Sequence, residues 1–307
     1  MNQHVQSGPF VSVIIPVLDD YGALEMCLDA LTSQTYAQSE YEVIVVDNGT
    51  ESVRRRNVAR EEPVPVRQYV QPRGGSYAAR NLGIEHSTGQ VVAFTDADCI
   101  PSPEWLREGV ECLRGKCGLG LVAGAVEVVC EDPDAPTAVE LHGQLFDFRQ
   151  CYNAEECSFG ATANVFTTRD VIRDVGRFDA SLHSGGDREW GGRVARAGYE
   201  VDYCPKARVR HPARQTLQED LQRKLRYAAG SLEVEGRIPD EGAVENLGAG
   251  VFTVLEKAAR AYRTVLEAEE LTDWQKLKVL GVGHLEAAVY FGHRLVHKLI
   301  HRREGLG

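Results

Sequence analysis

QVVAFTDADC, residues 90–99, joins an unbroken apolar run to two carboxylates one residue apart. Residues 90–95 carry no polar alternation, so they predict a strand covered on both faces, as in a parallel sheet flanked by helices. Working outward, the same kind of run recurs upstream. VSVIIP (11–16), YEVIVVD (41–47) and residues 64–70 predict three more strands. Between them, Leu24, Cys27, Leu28 and Leu31 stand at helical spacing over 20–34, beyond a capping Asp20. Asn48-Gly49 marks a turn, an arginine-rich helix is expected over 52–60, and Gly74-Gly75-Ser76 opens a helix to about His86. Strand–helix alternation of this kind predicts an α/β fold.

Downstream the rhythm is looser. A helix is expected after Pro103, a strand over 119–129, a helix over 136–152 and a strand over 161–167. A helix over 187–197, closed by Gly198, leads to two short strands at 201–204 and 207–210. From Leu217 the pattern is helical to the end, with a loose stretch at 236–250.

The chain has 307 residues, of which 43% are hydrophobic and 26% charged, enough for a large core in one or two domains. A net charge of −11 argues against nucleic acid as a partner, because phosphate backbones require a basic surface. The eight cysteines form no CxxC pair, so they are expected as reduced, mostly buried thiols of a cytoplasmic protein. MNQHVQSGPF shows no secretory pattern, and nowhere do 18 apolar residues run together.

Ligands on such sheets sit beyond the carboxyl ends of the strands. Those ends are residues 16–20, 47–48, 71–75 and 96–98, and three of the four supply carboxylates. Asp96 and Asp98 are hard oxygen donors at the end of a buried strand, which suits Mg²⁺ or Mn²⁺ bridging to phosphate. Taken alone, the tripeptide is equally a solvated turn.

Four segments, VSVIIPVLDD, YEVIVVDNGT, GGSYAARNLGIEHSTGQVVAFTDADCIPSPEWL and VGRFDASLHSGGDREWGGRVARAGYEV, stand in order. Together they resemble the inverting family 2 glycosyltransferases of the GT-A fold. The resemblance spans about residues 11–215, two-thirds of the chain. It implies a Rossmann-like, mostly parallel sheet flanked by helices, with a helical C-terminal appendage. The domains implied are 1–215, with a donor half about 10–100 and an acceptor half about 101–215, followed by a helical region at 216–307.

The same resemblance implies roles. Asp47 would accept hydrogen bonds from the base or ribose, Pro16 and Val17 would wall the base, and Asp19 would sit at its edge. Relatives often carry Asn-Glu where this chain has Asp19-Asp20. Arg80, on the helix opened by Gly74-Gly75, would meet the diphosphate or orient Asp96. Relatives' asparagine upstream is replaced near Pro72-Arg73. Asp96 would serve the ribose or the metal's water shell, Asp98 the metal itself, and His211 is a third-ligand candidate. Arg208, Arg210 and Arg214 around it would help neutralise the diphosphate.

Arg193 follows Glu189 by four residues, which registers Asp187 with the family's catalytic base and puts Gly186 where a glutamate is common. Asp187 is alternatively a helix N-cap only. Glu189 is the alternative base and an acceptor contact. Trp190 would stack on an acceptor ring or fill the core, and Asn164 would line the acceptor pocket or end a strand.

The reaction implied moves a sugar from a nucleoside diphosphate donor, a UDP-sugar first, to a hydroxyl of a glycan or lipid-linked acceptor, with Mn²⁺ or Mg²⁺. Two rivals remain. A nucleotidyltransferase would carry a glycine- and lysine-rich loop after the first strand, and VIIPVLDDYG has no cation. A non-catalytic sugar-nucleotide sensor or scaffold is compatible with Gly186. Residues 271–307 hold six Lys or Arg against three acidic residues, a net of +3, which leaves −14 on the rest. Apolar stripes along this stretch, one through Leu277, Leu280, Ala287, Phe291 and Leu295, predict a packed or homodimer helix. The alternative is a helix lying on the inner face of a membrane.

Overall fold

Strands β1 (Val11–Val17), β2 (Tyr41–Asp47), β3 (Val66–Val70) and β4 (Val91–Thr95) are the four apolar runs, and they pair in parallel in the computed structural model. Every residue of β2 and of β4 is buried. Each such Val, Ile or Phe contributes roughly 1.5–3 kcal/mol by leaving water. Residues 8–51, 53–72, 74–235 and 258–304 are described. They fall into two compact units, one of 1–127 with 148–211 and one of 128–147 with 212–307.

In the first unit, eight strands form one sheet in the order β3-β2-β1-β4-β7-β6-β8-β5. Here β5 is Ile100–Pro101, β6 Leu119–Val129, β7 Asn164–Thr168 and β8 Glu200–Pro212. Beyond β4 the pairing turns antiparallel, at β4–β7, β7–β6 and β8–β5. Helices α1 (Tyr21–Thr32), α2 (Ser76–His86) and α3 (Trp105–Arg114) follow β1, β3 and β5. As predicted, Asp20 caps α1 by accepting from Ala23 N at 3.0 Å. Trp105 and Phe166 are fully buried with rings 4.9 Å apart. Gly109 allows that approach, since a Cβ there would lie 2.3 Å from the Phe166 ring.

Several expectations are corrected. Residues 53–60 are not helical. Arg54, Arg55 and Arg56 instead reach three different carboxylates, Asp19, Asp47 and Glu25, each at 3.2 Å. The helix expected over 136–152 is two, α4 (Ala138–Phe146) and α5 (Gln150–Cys157), parted by extended Asp147 and by Phe148 at φ 45°. The two short strands expected after residue 200 are the single β8, which runs through Pro205. Cys112, in α3, and Cys204, in β8, form a disulfide, and Cys117 and Cys151 are exposed. Helices α6 (Arg169–Val175) and α7 (Gly186–Arg196) complete the unit.

The second unit holds α4, α8 (Leu217–Glu235), α9 (258–267) and α10 (Asp273–Glu304). Leu141, Val265, Ala268, Leu271 and Val279 make its core. The loose stretch expected at 236–250 lies outside the described residues. No helix among those described is long and apolar enough to cross a membrane.

Candidate active site

Asp96 leaves β4 directly, and Arg80 reaches it from the second turn of α2, Nη2 to Oδ1 at 2.5 Å. Arg80 is buried, and its Nε finds no hydrogen-bond acceptor. A buried guanidinium with a spare donor suits an anion. Burial pushes the Asp96 carboxyl above its ordinary range, helped by the charges of Asp98 and Asp187 and opposed by Arg80 and His211. Four acidic or basic side chains from separate parts of the chain thus act on one carboxylate.

Two residues on, Asp98 Oδ2 lies 3.3 Å from His211 Nε2. Ligands at right angles on an octahedral ion with bonds of about 2.1 Å stand about 3.0 Å apart, so the pair fits a divalent cation of the Mn²⁺ or Mg²⁺ kind. His211 is buried and packs on Phe148, with ring centroids 4.6 Å apart. Alternation along β8 buries Ala207, Val209 and His211 and exposes Arg208 and Arg210, so those arginines leave by the opposite face. Arg214 belongs to the second unit and pairs with Asp147 at 3.5 Å.

Asp187 is not the cap of α7. Gly185, at φ 79°, is the cap, and Asp187 stands in the first turn. Its Oδ1 accepts from Tyr77 Oη at 2.9 Å, and its Oδ2 from Thr162 N at 3.4 Å. Burial and the Asp187 charge push the Tyr77 hydroxyl well above its ordinary range, so it stays a donor. Tyr77 and Thr162 escaped the sequence reading, although Tyr77 sits inside the GGSYAARN segment.

At the end of β2, Asp47 is fully buried and saturated. Oδ1 accepts from Gly49 N (3.0 Å) and Thr50 N (2.8 Å), Oδ2 from Tyr21 Oη (2.5 Å) and Arg55 Nε (3.2 Å). Burial works against the charge on Asp47, yet the donors from Tyr21, Thr50 and Gly49 win and hold it below its ordinary range. Tyr21 and Arg55 also escaped the sequence reading. Pro16 and Val17 pair with Val46 and Asp47 in register. Asp19, at φ 60°, meets Arg54 at 3.2 Å and donates its amide to Thr50 Oγ1.

The three acceptor candidates stand elsewhere. Asn164 is fully buried, accepting from Trp105 Nε1 and donating to the carbonyls of Ala125 and Ala207, all within 2.8–2.9 Å. Glu189 is buried in a two-pronged pair with Arg193, at 2.7 and 2.9 Å. Trp190 is 1% exposed, donates to Gly176 O and packs on Phe178, so it offers no face to a sugar ring.

Among the described residues, His142, Asp220 and Glu286 bring three ligand atoms within 4.8 Å of one another, all in the second unit. Protein cations already occupy this group. Arg223 binds Asp147 at 2.6 Å and Asp220 at 2.5 Å, and Lys224 binds Glu286. Burial, with the neighbouring Asp220 carboxyl, pushes Glu286 up to about 7. The carboxylates here are thus met by cations of the chain itself.

Sheet order, strand-end carboxylates and the buried arginine together define a GT-A glycosyltransferase. Residues 12–176 match glycosyl transferase family 2, and the chain belongs to that family. It is similar to glycosyltransferase AglE of Haloferax volcanii, 39% identical over 230 residues that cover 74% of each chain. The pre-mycofactocin glycosyltransferase of Mycobacterium tuberculosis is 31% identical over 77% of this chain, which spans half of that protein's length. Among solved structures, the Pyrobaculum calidifontis mannosyltransferase PcManGT, in complex with GDP-Man and Mn²⁺, superposes with a TM-score of 0.61. It is 20% identical over 94% of this chain and 83% of its own, a likeness of fold.

Proposed function

We propose that the protein is an inverting, metal-dependent transferase that moves a sugar from a nucleoside diphosphate donor to a hydroxyl of a glycan or lipid-linked acceptor. One observation carries this reading: Asp96, Asp98, Asp187, His211 and Arg80 converge electrostatically beyond the end of β4. Residues of about 10–100 serve the donor and those of about 101–215 the acceptor. Pro16, Val17, Asp19 and Asp47 border the nucleoside, Arg80 faces the diphosphate, and Asp98 with His211 holds Mn²⁺ or Mg²⁺. When bound, the cation supplies positive charge to the departing diphosphate.

The chain's own part is proton transfer and placement. Asp187 takes the proton of the acceptor hydroxyl as its oxygen bonds to the anomeric carbon. The bond from that carbon to the diphosphate oxygen breaks on the opposite face, its electron pair leaving with the phosphate, so configuration inverts. Arg80 keeps Asp96 turned toward it, and its free Nε meets a phosphate oxygen. UDP-sugars are the first donors to try and GDP-sugars the second, given the ligand of PcManGT.

The test is donor turnover. The wild-type chain with a UDP- or GDP-sugar and Mn²⁺ is expected to release nucleoside diphosphate slowly without acceptor. Loss of that release in Asp98→Ala supports the reading, whereas binding with no turnover favours a sensor.

Acceptor delivery is tied to α10. Its Val279 and Val282 are buried, whereas Trp274, Leu277, Leu285, Phe291 and Leu295 are exposed along the helix. Flotation of the full chain with anionic liposomes, lost in Leu277→Glu/Leu295→Glu, supports peripheral membrane binding; a dimer without flotation supports helix pairing.

A further inference from the structure

We propose that Tyr77 is the positioning residue of Asp187, and that Gly186 is what admits it. The inference rests on Asp187 being the base, as proposed above. Beside that aspartate stands Gly186, and the space for any side chain there is already taken. A Cβ built on Gly186 would lie 2.7 Å from two atoms of the Tyr77 ring, closer than side chains pack. The tyrosine occupies the volume that any side chain at 186 would need, and its hydroxyl reaches Asp187 Oδ1 at 2.9 Å.

Tyr77 is itself held firmly. It is 6% exposed, and its ring lies 5.8 Å from that of Phe178, which packs on Phe94 and Trp190. Asn81, one turn further along α2, clamps the Phe178 backbone from both sides, donating to its carbonyl at 2.8 Å and accepting from its amide at 3.0 Å. Arg80, between them in sequence, holds Asp96. One helix therefore fixes both carboxylates, Asp96 through Arg80 and Asp187 through Tyr77.

The hydrogen bond also divides the two oxygens of Asp187. Oδ1 is committed to Tyr77, while Oδ2 has, among the described residues, the 3.4 Å contact with Thr162 N. Oδ2 is the oxygen that takes the acceptor's proton. Tyr77 acts through Asp187 and need not touch substrate, so its loss belongs in kcat rather than in donor KM.

Tyr77→Phe keeps the ring, its packing and its place beside Arg80, and removes only the donor. It is expected to lower kcat about tenfold to a hundredfold, with donor KM and thermal midpoint nearly unchanged. Gly186→Ala, which pushes the ring aside, is expected to give the same loss. The double variant should be no worse than either single one, because both remove one hydrogen bond. Unchanged kcat in Tyr77→Phe, a loss confined to donor KM, or losses that multiply in the double variant each overturn the proposal. Asp187→Asn separates the two ideas. If it is inactive while Tyr77→Phe is fully active, only the positioning role fails. If it is fully active, the base reading fails and the positioning role with it.

Discussion

The two units each gather histidine and carboxylates, yet in opposite electrical states. In the second, Asp147, Asp220 and Glu286 face Arg214, Arg223 and Lys224, and the group is buried and neutralised from within. In the first, Asp96, Asp98 and Asp187 gather with Arg80 and His211 beyond the carboxyl end of β4, an interior strand. On the reading proposed above, the same residue types brace the fold in one place and receive a cation in the other. The balance of lysine and arginine around them tells the two apart, not the acidic residues themselves.

The sharpest way to break this contrast is to exchange what each cluster is for. Asp187→Asn is expected to lower kcat by about 10²–10⁴ with little change in melting, read by product formation and by thermal denaturation. Asp98→Ala should lower transfer about 10³-fold and leave the fold intact if, as proposed, Asp98 is a metal ligand rather than a brace. Full activity in metal-free buffer would sink the metal assignment. Arg223→Met belongs to the other cluster and should cost about 3–5 kcal/mol in chemical denaturation, because it takes from Asp147 and Asp220 their shared buried partner. Folded Arg223→Met protein should retain the wild-type donor KM.

A smaller effect is expected from pH. Burial, seconded by the Lys224 charge, pushes His142 down to about 4. Because the folded value lies below the ordinary one, its contribution to stability is complete above about 6.5 and lost as pH falls toward 4. Glu286 works the other way, favouring the fold while protonated and less so as pH rises through about 7. His142→Gln should therefore flatten the acid side of a melting-point profile taken between pH 4 and 8. The least effect is ligand stabilisation: Mn²⁺ with UDP should raise the melting point by about 2–4 °C per kcal/mol of binding, and not at all in Asp98→Ala.

Much of the first unit was legible because its signals are local. Four apolar strands, the Asp20 cap and the Asp96–Asp98 spacing are each contained within a few residues. What stayed hidden depends on distance. Cys112 and Cys204 lie 92 residues apart, and no spacing rule joins the end of a helix to a strand so far on. Asn164, Glu189 and Trp190 were acceptor candidates because the family resemblance puts them in or beside its motifs. Only their buried partners show them holding the sheet and α7 in place. Tyr77 was missed for the converse reason, since a tyrosine in a helix carries no signal until its hydroxyl is seen to meet Asp187.

Asp47 has a consequence of its own. Its four acceptor positions are filled by Tyr21, Gly49, Thr50 and Arg55, so a nucleoside reaching it enters by substitution rather than addition. Every hydrogen bond that base or ribose forms there releases one already made, and the exchange is nearly even in energy. Discrimination among bases then comes from which resident donor is displaced. Arg55 is the most exposed of these donors: it reaches Asp47 at 3.2 Å and is anchored beside it by a 2.9 Å bond to Thr50 O, whereas the Tyr21 hydroxyl sits at 2.5 Å. On the proposed reading, nucleoside preference turns on whether Arg55 releases Asp47, although the base need never touch that arginine.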